Sequence, residues 1–130
     1  MTTSRWWGAA AVDMIAVALF VVIGRASHRH AETAAGIAST AWPFAVGLGT
    51  GWAILAARGR RRGERPDPAT LSSGVAVCAA TVACGMALRV VAGQGTAPTF
   101  IGVATGFLGA LMLGGRAALG AATQRQAARQ

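Results

Sequence analysis

A chain of 130 residues suffices for one domain, but 54% apolar and only 12% charged residues exclude an ordinary soluble globule, where about 25% are charged. The apolar residues fall in long blocks, as membrane spans require. The net charge of +8 comes from twelve Arg and no Lys, and these Arg gather at block ends. No basic helix or aromatic-interleaved patch accompanies them, so nucleic-acid binding is not expected.

The first block, 6–24, reads WWGAAAVDMIAVALFVVIG. It is close to the roughly 20 residues a helix needs to cross the hydrocarbon core, and it carries one carboxylate, Asp13. It ends in GRASHRH without a small-x-small cleavage signal, so it reads as a retained span rather than a leader. At 100° per residue, Asp13 shares a face with Ala9, Ala10, Ala16, Val17, Phe20 and Gly24, opposite Ile15, Leu19 and Val22. Small residues permit close helix approach and bulky ones suit lipid, so Asp13 is expected to point into a bundle.

The second block is expected at about 41–57, AWPFAVGLGTGWAILAA, with Thr40-Ala41-Trp42-Pro43 as its start and Gly47 and Gly51 as packing positions. A basic loop, 58–69, follows. The third block, about 70–92, is expected to open on Asp67 as capping acid with Pro68 in the first turn. Its cysteines, Cys78 and Cys84, lie about 120° apart on a helix and do not pair. The fourth block, about 98–118, opens on Pro98 and carries a small-residue ladder, Gly102, Gly106, Ala110 and Gly114. Gly102, Thr105, Gly109, Met112 and Arg116 read as its packing stripe, and a polar tail, 119–130, ends the chain. Trp6, Trp7 and Trp42 sit at block ends, where indole favours the headgroup zone.

These blocks give an all-α, integral membrane four-helix bundle, since helices satisfy their own backbone in lipid. With four crossings, nine Arg (Arg5, Arg58, Arg60, Arg61, Arg62, Arg65, Arg116, Arg125 and Arg129) share one side with both termini, against Arg25, Arg29 and Arg89 on the other. The positive-inside rule places the nine in the cytoplasm of a bacterial cell, with the chain in its inner membrane. TAWPFAVGLGTGW (40–52) and TAPTFIGVATGF (96–107) match with one gap, which suggests two tandem transmembrane hairpins.

Two polar clusters are candidate sites. Arg116 ends the fourth span on its packing stripe, and a long guanidinium can reach back to Asp13. Asp13 is then either half of a structural ion pair or, without a firm partner, a titrating intramembrane group. Arg25, His28, His30 and Arg89 form the other cluster. With the amides of GQGTAPT at the start of the fourth span, Arg25 and Arg89 could build an anion site. His28-x-His30 lacks a third defined ligand, so no metal or other cofactor is expected. No Walker motif, GxSxG or paired-carboxylate set occurs, so the chain is not expected to be an enzyme.

Asp13, Phe20, Gly24-Arg25 and Ser27-His28 resemble the first-helix signature of the domain of unknown function 3054 family. Pro43-Phe44 with Gly47, Gly85-Met86 with Arg89, Gly95-Thr96-Ala97-Pro98 with Phe100-Ile101, and Arg116 continue the resemblance across about residues 10–118. It implies a small prokaryotic integral membrane protein with no assigned activity, and it singles out Asp13, Arg25, His28, Arg89 and Arg116. The leading functional expectation is a transporter-like or channel-like protein with Asp13 as its polar site. The alternative is a non-enzymatic accessory or structural subunit of a larger membrane complex, with Asp13–Arg116 as a structural pair. Either way the expected partners are the lipid bilayer and a second copy or a larger assembly.

Overall fold

The computed structural model describes residues 3–27 and 33–130. They form four helices, α1 (Thr3–Ser27), α2 (Ala34–Arg62), α3 (Leu71–Val91) and α4 (Pro98–Ala128), and no strand among the described residues. All four are long and apolar enough to cross a membrane. Each helix touches two neighbours, in the ring order α1–α2–α3–α4–α1, and among the described residues the diagonal pairs have no backbone-level contact.

Helix boundaries follow local chemistry that departs in places from the sequence signals. α2 starts at Ala34, not at 41, because Thr33 caps it by accepting a bond from Gly36 N–H at 3.0 Å. Pro43 therefore lies inside the helix, where its missing N–H releases the Ser39 carbonyl. Gln94, from the α3–α4 connection, supplies the replacement donor, with Nε2 3.1 Å from Ser39 O. Asp67 does not cap α3 either. It folds a tight turn by accepting from Ala69 N–H at 2.9 Å, and the cap passes to Thr70, whose hydroxyl accepts from Ser73 N–H at 3.2 Å. α4 runs ten residues past 118, because Ala, Leu, Gln and Arg of LGAATQRQAA are all strong helix formers.

Gly63 (φ 65°) and Gly93 (φ 73°) adopt the left-handed conformation that ends α2 and α3. In both turns the glycine N–H and the next N–H return to carbonyls of the last helical turn: Gly63 to Arg60 and Glu64 to Gly59, Gly93 to Val90 and Gln94 to Arg89. This closes orphan carbonyls before the chain reverses.

α2 and α3 form the most extensive interface. A Cβ on Gly47 would lie 2.6 Å from the Thr81 carbonyl oxygen, and one on Gly51 3.1 Å from Val77 Cα. Without hydrocarbon–water exclusion to drive them together, such close backbone approach supplies the dispersion that holds helices in lipid. At one end of the bundle all four phenylalanines of the chain meet. Phe20 sits edge-on to Phe44 at 5.1 Å, and 5.9 Å from both Phe100 and Phe107.

On α1 the face predicted to be inward is inward: Ala9, Asp13, Ala16, Val17 and Phe20 are buried, while Ile15, Leu19 and Val22 are exposed. On α4 the expected stripe holds at Met112 and Arg116 and is displaced in the turns before them. The buried line is Ala104, Leu108, Met112 and Arg116, whereas Gly102 and Thr105 are exposed. Leu108 and Met112 fill the centre here, and α4 offers α1 a small residue only further along, at Gly115, where a Cβ would strike Val12. The two matching stretches also differ in place. Gly47 and Gly51 press on α3, while a Cβ added at their counterparts Gly102 and Gly106 would meet nothing within 4 Å, and Pro98 opens α4 where Pro43 sits inside α2.

Candidate functional sites

The first site lies among all four helices, at the end that holds the α2–α3 turn. Asp13 of α1 and Arg116 of α4 are 0% and 1% exposed. Their contact is a two-pronged fork, Nη1 to Oδ1 at 2.6 Å and Nη2 to Oδ2 at 2.9 Å. Such parallel charge-assisted bonds fix orientation as well as distance. Arg116 also donates from Nε to the Pro68 carbonyl at 2.8 Å and from Nη1 to the Met112 carbonyl at 3.3 Å. Four of its five N–H groups are thus used.

α2 contributes Trp52, whose indole N–H donates to Asp13 Oδ2 at 3.0 Å. α3 contributes space: a Cβ on Gly74 would lie 2.7 Å from Arg116 Cδ. Sequence reasoning brings Asp13 and Arg116 together but misses Trp52, Pro68 and Gly74. A signal for Trp52 is present, since it is the one tryptophan in the interior of an apolar block, and an indole N–H in hydrocarbon needs an acceptor.

Just beyond the pair, Arg5 at the start of α1 clamps Asp67, with Nη2 2.6 Å from Oδ2 and Nε 3.3 Å from Oδ1. Partial burial pushes the Asp67 carboxyl up. The hydrogen bonds from Arg5 and from Ala69 N–H, with the Arg5 charge, outweigh it and hold the group below its ordinary value.

The second site lies at the opposite end, a cavity of about 290 Å³ lined by Phe20, Val21, Gly24, Arg25, Thr40, Arg89 and Phe100. Arg25 Nη1 donates to Thr40 Oγ1 at 3.0 Å, and the Thr40 hydroxyl donates to Gly36 O at 3.1 Å. Gly36 leaves room for the guanidinium, which a Cβ there would strike. Arg89 donates from Nε and Nη2 to Gly95 O at 3.0 and 2.8 Å, and from Nη1 to Gln94 Oε1 at 2.8 Å. Its Cζ lies 4.5 Å over the Phe100 ring, a cation–π stack. Gln94 therefore links the Pro43 defect in α2 to the Arg89 guanidinium.

Arg25 and Arg89 thus line one cavity. None of residues 93–99, including the GQGTAPT amides, lines it. His28 and His30 lie outside the described residues. Among the described residues no three His, Cys, Asp or Glu side chains gather to hold a metal. Of the expected packing glycines, Gly47 and Gly51 contact α3, Gly102 and Gly106 face outward, and Gly109 borders an apolar groove between α3 and α4.

The fold and the sites define an all-α bundle of four helices, each long and apolar enough to span a membrane, locked at one end by a buried ion pair. Residues 10–119 match the family described as Protein of unknown function (DUF3054), and the chain belongs to that family. No curated protein and no solved structure matches it.

Proposed function

We propose that the chain is a non-enzymatic accessory or structural subunit of a membrane assembly, with Asp13–Arg116 as the pair that fixes its helix register. One observation carries this reading: the Asp13 carboxylate is fully buried and already accepts three side-chain hydrogen bonds, two from Arg116 and one from Trp52. A proton or cation carrier needs a carboxylate that solvent reaches and that gives up its partner. Asp13 is instead walled off from the other end by the phenylalanine cluster at Phe20, seven residues or about 10 Å along α1. The transporter-like alternative, which the lone carboxylate suggested, loses its main support.

The partner surface in this reading is the outward face of α4, where Gly102, Gly106 and Gly114 leave open space for another helix. The partner is a second copy or a larger complex. The nine-Arg side, with both termini, faces the cytoplasm across the inner membrane.

The test is labelling with a membrane-permeant carbodiimide, which attacks protonated carboxyls in membranes, read by mass spectrometry. Asp13 should stay unlabelled in the native protein and become labelled in Arg116→Gln. Efficient labelling of native Asp13 would restore the transporter reading. In parallel, Gly106→Cys should cross-link in native membranes while Gly49→Cys, also in open space but on α2, should not.

A further inference from the structure

We propose that the Arg25–Arg89 cavity binds a phosphate group, with the lipid headgroup as its source. The Asp13–Arg116 pair does not explain this cavity, which lies twelve residues, about 18 Å, further along α1. Its lining combines two chemistries. Two guanidiniums and the Thr40 hydroxyl line it together with Phe20, Val21 and Phe100. Such a pairing suits an oxyanion carried on an apolar body. At about 290 Å³ it stands at the lower edge of ligand pockets, roughly 300–1,000 Å³, so it fits a headgroup phosphate rather than a whole lipid.

Arg89 is held in advance. Three of its five N–H groups are bonded to Gly95 and Gln94, the ring of Phe100 stacks on its face, and one N–H on each of Nη1 and Nη2 is left to donate. Arg25 is oriented by Thr40. Charge favours an anion at this end. Among the described residues the acids, Asp13, Glu64 and Asp67, all lie toward the opposite end, while Arg25 and Arg89 line this cavity. Arginine, with its planar fork, is the side chain best matched to phosphate oxygens.

The experiment uses the full chain in phosphatidylcholine nanodiscs, with and without phosphatidylglycerol, and counts retained lipid by native mass spectrometry. The native protein should retain phosphatidylglycerol. Arg25→Gln and Arg89→Gln should each reduce retention about tenfold, the order expected for losing a charge-assisted bond. Arg89→Lys should restore part of it, and Arg58→Gln/Arg62→Gln, at the other end, should leave it unchanged. Thr40→Val, which removes the hydroxyl that accepts from Arg25 and donates to Gly36 O but keeps both charges, guards against variants that fail to fold, and helical circular dichroism checks each. A second arm titrates inorganic phosphate into phosphatidylcholine nanodiscs. Thermal stabilisation there, lost in Arg89→Gln, with no phosphatidylglycerol retention, would assign the site to free phosphate. The proposal is overturned if neither arm responds, or if retention survives the cavity variants and falls in Arg58→Gln/Arg62→Gln.

Discussion

Replacing Arg116 with Met tests the central lock most directly. The change deletes four donated hydrogen bonds and leaves the buried Asp13 with Trp52 as its remaining side-chain donor. Two charge-assisted bonds at about 1.5–3 kcal/mol each give a loss of roughly 3–6 kcal/mol. Breaking a buried pair from one side costs about 3–5 kcal/mol, in agreement. At about 1.4 kcal/mol per tenfold, that is a fall in the folding constant of two to four orders of magnitude. Asp13→Leu should cost a similar amount, because it strands the guanidinium instead. The double variant should cost only the penalty for an orphaned Trp52 N–H and an orphaned Pro68 carbonyl, about 1–3 kcal/mol each, and each single variant already carries one of these on top of its broken pair. The coupling between the two positions is then about 3 kcal/mol or more. The assay is equilibrium unfolding in mixed micelles against the mole fraction of dodecyl sulfate, followed by circular dichroism. Single losses below about 1 kcal/mol, or additive ones, would refute a structural role for the pair.

Four further outcomes follow from the geometry. Trp52→Phe keeps the ring but removes the third donor to Asp13, and should cost about 1.5–3 kcal/mol in the same assay. Gly47→Ala places a Cβ 2.6 Å from the Thr81 carbonyl and should destabilise by about 1–3 kcal/mol, whereas Gly49→Ala, in open space, should be neutral or stabilising by up to about 1 kcal/mol. Gln94→Ala should cost about 0.5–1.5 kcal/mol for each of its two bonds, and the share due to Ser39 should vanish in Pro43→Ala, where the restored N–H can serve that carbonyl itself, leaving the share due to Arg89. The Asp67 carboxyl, held below its ordinary value near 3.8, contributes stability that is complete above that value and lost as pH falls through its lowered native value. Arg5→Gln should therefore flatten the acid limb of a stability–pH profile and cost about 0.2–1 kcal/mol near neutrality, since the pair is partly exposed.

Much of this molecule is fixed by one-dimensional pattern. Blocks near the span length decide that it is four helices, because an unpaired backbone in lipid is too costly for any other choice. The small–large asymmetry of α1 decides which way Asp13 points, and a carboxylate pointing inward needs a partner, which singles out Arg116. The start of α2 is not legible, because Pro43 announces a helix start and only Gln94, 51 residues away, makes it tolerable inside one. The inward face of α4 is only partly legible. Met112 and Arg116 are on the face the pattern marks, but a helix rich in glycine offers several faces that could pack, and the burial of Ala104 and Leu108 rather than Gly102 and Thr105 is set by the neighbouring helices. The partners of the ion pair beyond Asp13 itself come from three other places in the chain: an indole in α2, a carbonyl before α3 and a missing Cβ in α3. Hydrogen bonds between distant segments depend on register and rotation together, and periodicity within one segment carries neither. Span length and face asymmetry thus dictate the helices and their inward acid, while the packing of four helices against one another selects what encloses that acid and which two arginines share the opposite cavity.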